Sequence, residues 1–178
     1  MQNILKTGVL AALLASSVAF AASVHLKPPN RPPTFVDGGL YLQAVGSLAG
    51  LGNGDVVIGI TAEGQVFATC TNPGGSTQPP GQNPAPITVT GTVAIPEVDI
   101  KNGTLRFDVR TTAPDPVIAG APQCPNPQWT ERINDIKFTS FVLTVEQPAG
   151  NTVLTVSCTS TPTVNGSVNP NTVSCTAN

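Results

Sequence analysis

Charge is scarce in this sequence. Only 10% of its 178 residues are Asp, Glu, Lys or Arg, against roughly a quarter in an average soluble domain, so solubility rests on Thr, Ser, Asn and Gln. There is one histidine, His25, which lies in or beside a proline-rich stretch with no scaffold to orient it. Ser-His-Asp and Cys-His mechanisms therefore lack their base. The same count excludes the blue-copper and copper–zinc sites that β-sandwiches host, which need two or more histidines. No cofactor and no redox metal are expected. Clustered Lys and Arg are also missing, which removes the phosphate-neutralising term that drives nucleic-acid binding. Aromatics make up 4% of the chain, too few to furnish the platforms of an ordinary sugar-hydrolysing cleft.

Paired carboxylates remain for consideration, since ten Asp and Glu allow two to face each other across a cleft for glycoside hydrolysis. A carboxylate-dependent extracellular hydrolase is thus one alternative. Calcium-dependent adhesion is another, because Asn53-Gly54-Asp55, Asp99 with Asn102, and Asn134-Asp135 are oxygen-bearing loop residues. The EF-hand spacing is absent, and Asx residues in turns account for the same pattern. No metal ligand set is assigned.

The chain does carry an export pattern. Lys6, an apolar run from Gly8 to Phe20 and the exit Ala19-Phe20-Ala21 read as a secretory signal peptide over residues 1–21, the apolar run being too short for a membrane span. Cleavage after Ala21 removes Lys6 and leaves a formal charge of −3. The polar C-terminus holds no hydrophobic tail anchor, so no membrane insertion follows cleavage and a secreted, extracytoplasmic location is expected. Residues 22–36 read as a linker, since Lys27-Pro28-Pro29-Asn30-Arg31-Pro32-Pro33 favours polyproline II over helix or central strand.

Beyond the linker, over residues 37–178, apolar residues recur at every second position. Leu105, Phe107 and Val109 alternate with Arg106, Asp108 and Arg110, and Ile87, Val89, Val93 and Ile95 alternate with Thr88, Thr90 and Thr92. Each pattern places one face in a core and the other in solvent. Further strands are expected at Leu40–Leu48, Val56–Ala62, Val66–Thr71, Phe141–Val145 and Val153–Cys158. Asn53-Gly54, Glu63-Gly64, Asn102-Gly103 and Gly150-Asn151 supply turns between them. With no helix to cover a sheet, seven or eight strands must bury against each other, giving an all-β, two-sheet sandwich of immunoglobulin-like kind. Twenty Val and 22 Thr suit such pleated surfaces.

Two inserts, 72–86 and 113–128, are rich in Pro and Gly. Loops of this length are commonly functional, which makes them the first place to seek a binding surface. Trp129 and Tyr41 are candidates for a binding surface, although Trp129 reads first as a lid closing one end of the sandwich beside a disulfide and second as an exposed ligand platform. Thr88, Thr90 and Thr92 form a candidate hydroxyl face. A threonine array orders water against ice only with several rungs, however, and the neighbouring strands do not repeat T-x-T, so a solvated face is the reading.

Four cysteines in an exported chain form two disulfides. Cys158 and Cys175 sit in repeated Thr-Val-Ser-Cys-Thr pentapeptides, and antiparallel pairing of the two copies joins their sulfurs. That leaves Cys70 with Cys124, fastening the two inserts. A Cys₄ zinc site is disfavoured by spacings of 54, 34 and 17 without a C-x-x-C.

The motifs Cys70-Thr71-Asn72-Pro73-Gly74-Gly75 and Cys124-Pro125-Asn126-Pro127-Gln128-Trp129-Thr130 resemble a pair found in small secreted microbial proteins of unassigned function. The resemblance covers about Gly38 to Ser157 and implies a secreted all-β fold with Cys70 paired to Cys124. It implies no catalytic residue and no ligand. The expectation is a secreted, disulfide-stapled, non-catalytic module that meets an extracellular partner or surface through its loops and threonine-rich faces.

Overall fold

The computed structural model describes residues 23–28, 32–161 and 166–178; the segment 1–21 expected to be a signal peptide, and Ala22 and Pro29 to Arg31 of the expected linker, lie outside them. Two antiparallel sheets pack together, as the alternating pattern requires. The first holds β1 (His25–Leu26), β2 (Thr34–Asp37), β3 (Leu42–Ala49), β7 (Thr104–Arg110) and β11 (Gly166–Ser167). The second holds β4 (Val56–Thr71), β5 (Thr77–Gln78), β6 (Ile87–Ile95), β8 (Val117–Ile118), β9 (Thr130–Glu146), β10 (Thr152–Ser160) and β12 (Val173–Ala177). Leu42, Ala44 and Leu48 from the first sheet meet Ile58, Ile60, Leu143 and Val145 from the second in one buried core. Across it, the rings of Phe35 and Phe141 lie 4.3 Å apart.

Residues 22–36 are more than a spacer. His25 and Leu26 pair with Ala49 and Leu48 on β3, and Thr34 to Asp37 pair with Val45 to Leu42. Phe35, 3% exposed, belongs to the core. The described prolines, Pro28, Pro32 and Pro33, lie between the two short ladders rather than within them, so no ladder hydrogen bond is lost to their missing N–H.

The expected turn at Glu63-Gly64 is absent. β4 runs unbroken for 16 residues and pairs with the 17 residues of β9 from Val57↔Glu146 to Thr71↔Thr130. Two register shifts interrupt the ladder, between Glu63 and Gly64 and between Phe67 and Ala68. On β4 every even residue from Val56 to Cys70 faces inward. On β9 the buried positions run Glu131, Ile133, Ile136, Phe138, Phe141, Leu143 and Val145, changing parity twice. Each extra residue on β9 is a β-bulge that restores the inward face after a one-residue slip. Gly64 is needed at the first bulge. A Cβ there would fall 2.6 Å from Ile136 Cγ2 and 2.8 Å from the Lys137 carbonyl oxygen.

At one end of this ladder β6 and β10 flank β4 and β9; at the other, β5 and β8 take their places. Asn102-Gly103 does form the expected turn, with φ of 51° and 66°. The sandwich edges meet where β6 passes β7. Thr112 N donates to Thr90 O at 2.8 Å, and Gly91 lets the Arg110 carbonyl approach so closely that a Cβ would stand 1.9 Å from its oxygen. Gly91→Ala is therefore expected to cost about 2–3 kcal/mol as an overpacked contact, read by urea unfolding; a loss within about 0.5 kcal/mol would contradict this seam.

Candidate functional site

The residues singled out in the sequence divide between two ends of the molecule. Both expected disulfides form, Cys70–Cys124 and Cys158–Cys175, the second between directly opposed residues of β10 and β12. Cys70–Cys124 ties the outer end of β4 to the second insert. There Gly81 N also donates to Gln123 O at 2.9 Å, joining the inserts directly. Gln123 N donates in turn to Glu131 Oε2 at 3.2 Å. Trp129 is half-buried in this region, its backbone N–H bonded to Asn126 O at 3.1 Å. The inserts are thus cross-tied to each other and to the ladder.

Tyr41, Thr90 and Thr92 come together at the other end. They line a groove of about 750 Å³ along the β6–β7 seam, with Asp108 and Arg110. Strand parity explains the set. Odd residues of β6 turn inward and leave Thr88, Thr90 and Thr92 exposed, while Leu105, Phe107 and Val109 of β7 fill the core and leave Arg106, Asp108 and Arg110 outside. Thr111, buried at the end of β7, is fixed to β3: its N–H donates to Leu42 O at 2.9 Å and its Oγ1 accepts from Leu42 N at 3.0 Å. This clamp brings Tyr41 beside β7. The ring lies against Gly38, where a Cβ would be 2.3 Å away, and the Arg110 guanidinium stands over it, 5.8 Å from the centroid. A second groove, about 890 Å³, is lined by Lys27, Asp99, Lys101 and Arg106. The two adjoin along the β6–β7 trough, sharing Val93 and Asp108 in their walls.

The charges of the trough were not collected by sequence reasoning, because Lys27, Lys101, Arg106 and Arg110 are distant in the chain. Of the eight Lys and Arg, six lie among the described residues, and four of those line the trough. Only two of the ten carboxylates, Asp99 and Asp108, accompany them. Asp108 accepts from Gln43 Nε2 at 2.6 Å. The only signal available beforehand was the alternation of Arg106, Asp108 and Arg110.

The hydroxyl face is broader than a lone T-x-T strand. Thr90 stands opposite Thr61, Thr61 opposite Val142, Val142 opposite Ser157 and Ser157 opposite Thr176. A second row runs from Thr92 through Gly59 and Thr144 to Thr155. Register therefore supplies rungs that no neighbouring motif announces. Sheet twist rotates successive strands by about 20–25°, which works against a flat lattice and keeps this a solvated, low-charge face. Thr88 lies on it beside Glu63.

The residues considered for calcium are scattered over the fold, and Asn134-Asp135 lie on β9 rather than in a loop. Asp55 Oδ1 accepts from Glu97 N at 2.9 Å, and Asn134 Nδ2 donates to Thr69 Oγ1 at 2.9 Å. Among the described residues no group of three or more His, Cys, Asp or Glu is placed to share an ion. His25 is held on β1 with Nδ1 2.8 Å from Ser23 O, exposed rather than buried in a site.

One carboxylate pair does form, inside the protein. Asp37 is 2% exposed, at the end of β2, and interacts with Asp135 beside a bulge of β9. Asp37 Oδ1 accepts from Gly39 N at 2.8 Å, whereas Asp37 Oδ2 and Asp135 Oδ1 are buried without hydrogen-bond partners among the described residues. Burial raises the Asp37 pKa from 3.8 to about 6; the Gly39 N–H opposes the shift and the Asp135 charge adds to it.

Compared with protein-family models, curated proteins and solved structures, the chain matches none.

Because the folded state binds the Asp37 proton more tightly than the unfolded chain, its stabilising contribution is complete below pH 3.8 and is lost as pH rises through about 6. The Tm advantage of wild type over Asp37→Asn should therefore shrink from pH 4 to pH 7. A constant or growing difference would contradict the buried pair.

Proposed function

We propose that this protein is a secreted, non-catalytic binding module, with its partner engaged outside the cytoplasm. The observation that carries the reading is cysteine usage: both disulfides are formed and the chain has no free cysteine. Such pairs persist in oxidising compartments. The export pattern of residues 1–21, the low charge and the resemblance of the Cys70 and Cys124 motifs to small secreted microbial proteins point the same way.

A binding role is favoured by the trough, each of whose two grooves has a volume in the range of ligand sites and whose lining includes Tyr41, Thr90 and Thr92. The non-catalytic part of the reading draws on Asp37, which is 2% exposed and so is closed to a substrate. The inserts, cross-tied at the far end of the β4–β9 ladder, serve as a structural cap. No nucleic acid and no membrane insertion after cleavage enter the proposal.

Expressed with its own N-terminus in a secreting host, the protein should leave the cytoplasm with Ala22 as its first residue and yield Cys70–Cys124 and Cys158–Cys175 peptides on non-reducing mapping. Retention of an uncleaved, reduced chain would contradict the reading. Its Tm should not move between calcium and EDTA; a rise with calcium would favour the adhesion alternative.

A further inference from the structure

The distribution of charge around the trough supports a narrower statement. The whole chain has a net charge of −2, yet Lys27, Lys101, Arg106 and Arg110 outnumber Asp99 and Asp108 two to one along this seam. Asp108, which separates the two arginines on β7, is engaged by Gln43. The Arg110 guanidinium rests over Tyr41, so Tyr41 and Gly38 beneath it act as a support for that cation.

We propose that the β6–β7 trough binds an acidic polysaccharide, an extended polyuronate held by Arg106 and Arg110 with Lys27 and Lys101 flanking it. This rests on the binding-module reading and names its ligand class. Arg106 and Arg110 project from the same face of one strand, four residues and so about 13 Å apart. That spacing suits a chain that presents carboxylates repeatedly along its length. Each guanidinium offers a planar fork to a carboxylate. Thr90 and Thr92, which line the same groove as Arg110, supply hydroxyls that donate to and accept from sugar hydroxyls.

Competing occupants fit less well. A peptide adding to a sheet edge needs free backbone groups, and here β6 and β7 block each other at Gly91, where Thr112 N already bonds Thr90 O. Neutral sugars are recognised largely through aromatic faces, and the Tyr41 ring is already flanked by Gly38 and Arg110. Duplex DNA carries one charge per about 1.7 Å and meets repulsion from the acidic remainder of the surface, whereas a polyuronate carries one charge per sugar.

The test uses the full mature protein, oxidised, and measures affinity by calorimetry for polygalacturonate, its fully methyl-esterified form and a DNA duplex. Wild type should bind polygalacturonate, lose that binding as salt is raised, and bind the ester and the duplex at least about tenfold more weakly. Arg106→Gln/Arg110→Gln should weaken polygalacturonate binding by at least about tenfold, as loss of arginine hot spots does, with Tm unchanged. Lys137→Gln, outside the trough, should leave affinity within about twofold. Equal binding of the ester, equal binding of the duplex, an unaffected double variant or no polygalacturonate binding would each overturn the proposal. If the exported protein nonetheless adheres to other cell-surface material through Thr90 and Thr92, the ligand class fails and the binding-module reading survives.

Discussion

The pairing of β4 with β9 is the constraint on which the remaining architecture depends. It joins Val57–Thr71 to Thr130–Glu146 across the whole length of the second sheet. A straight ladder of this length could not keep one face toward the first sheet, because twist accumulates along it. The two bulges on β9 redirect the strand and preserve the inward positions of Ile133, Ile136, Phe138 and Phe141. One half of the ladder then carries β6 and β10 and closes the sandwich. The other half carries β5, β8 and the Cys70–Cys124 disulfide.

This division separates two kinds of surface. At the insert end, a disulfide, a backbone bond between the loops and the buried Glu131 restrain segments that are otherwise poor in regular structure. At the seam end, restraint comes from small residues. Gly91 lets two strands of different sheets touch through their backbones, and Thr111 locks β7 to β3 with two hydrogen bonds. The outward side chains at the ends of β6 and β7 are thereby brought to one seam, where Thr90, Thr92, Asp108 and Arg110 line the same groove. Cations and hydroxyls border one groove there because two alternating strands, each with its apolar half in the core, meet edge to edge.

Much of this fold was legible in the alternation. Leu105–Val109 and Ile87–Ile95 read directly as half-buried strands, and the repeated pentapeptide around Cys158 and Cys175 disclosed both a pairing and its register. β9 was only partly legible: Phe141–Val145 alternates cleanly, but the bulges shift Ile133, Ile136 and Phe138 off a period of two. Glu63-Gly64 has turn chemistry, yet its glycine serves the close approach of Ile136 and Lys137 across the ladder. Proline in residues 22–36 suggested a spacer and concealed Phe35 as a core residue. The site was less legible than the fold. Tyr41, Thr90 and Thr92 were singled out, while their grouping with Arg110 depends on pairing between distant segments. Trp129 and Thr88 were chosen on the same grounds and lie outside the trough.

Recognition is proposed at the β6–β7 seam rather than at the proline-rich inserts, although the inserts are the longer irregular segments. Residue-resolved amide shifts of the oxidised protein, followed while an oligogalacturonate is added, test that placement most directly. Saturable shifts confined to β6, β7, the following residues to Ala113 and the turn around Tyr41 are expected, with the amides of residues 72–86 and 114–128 unmoved. Shifts centred on the inserts around Cys70 and Cys124, with β6 and β7 silent, would contradict it.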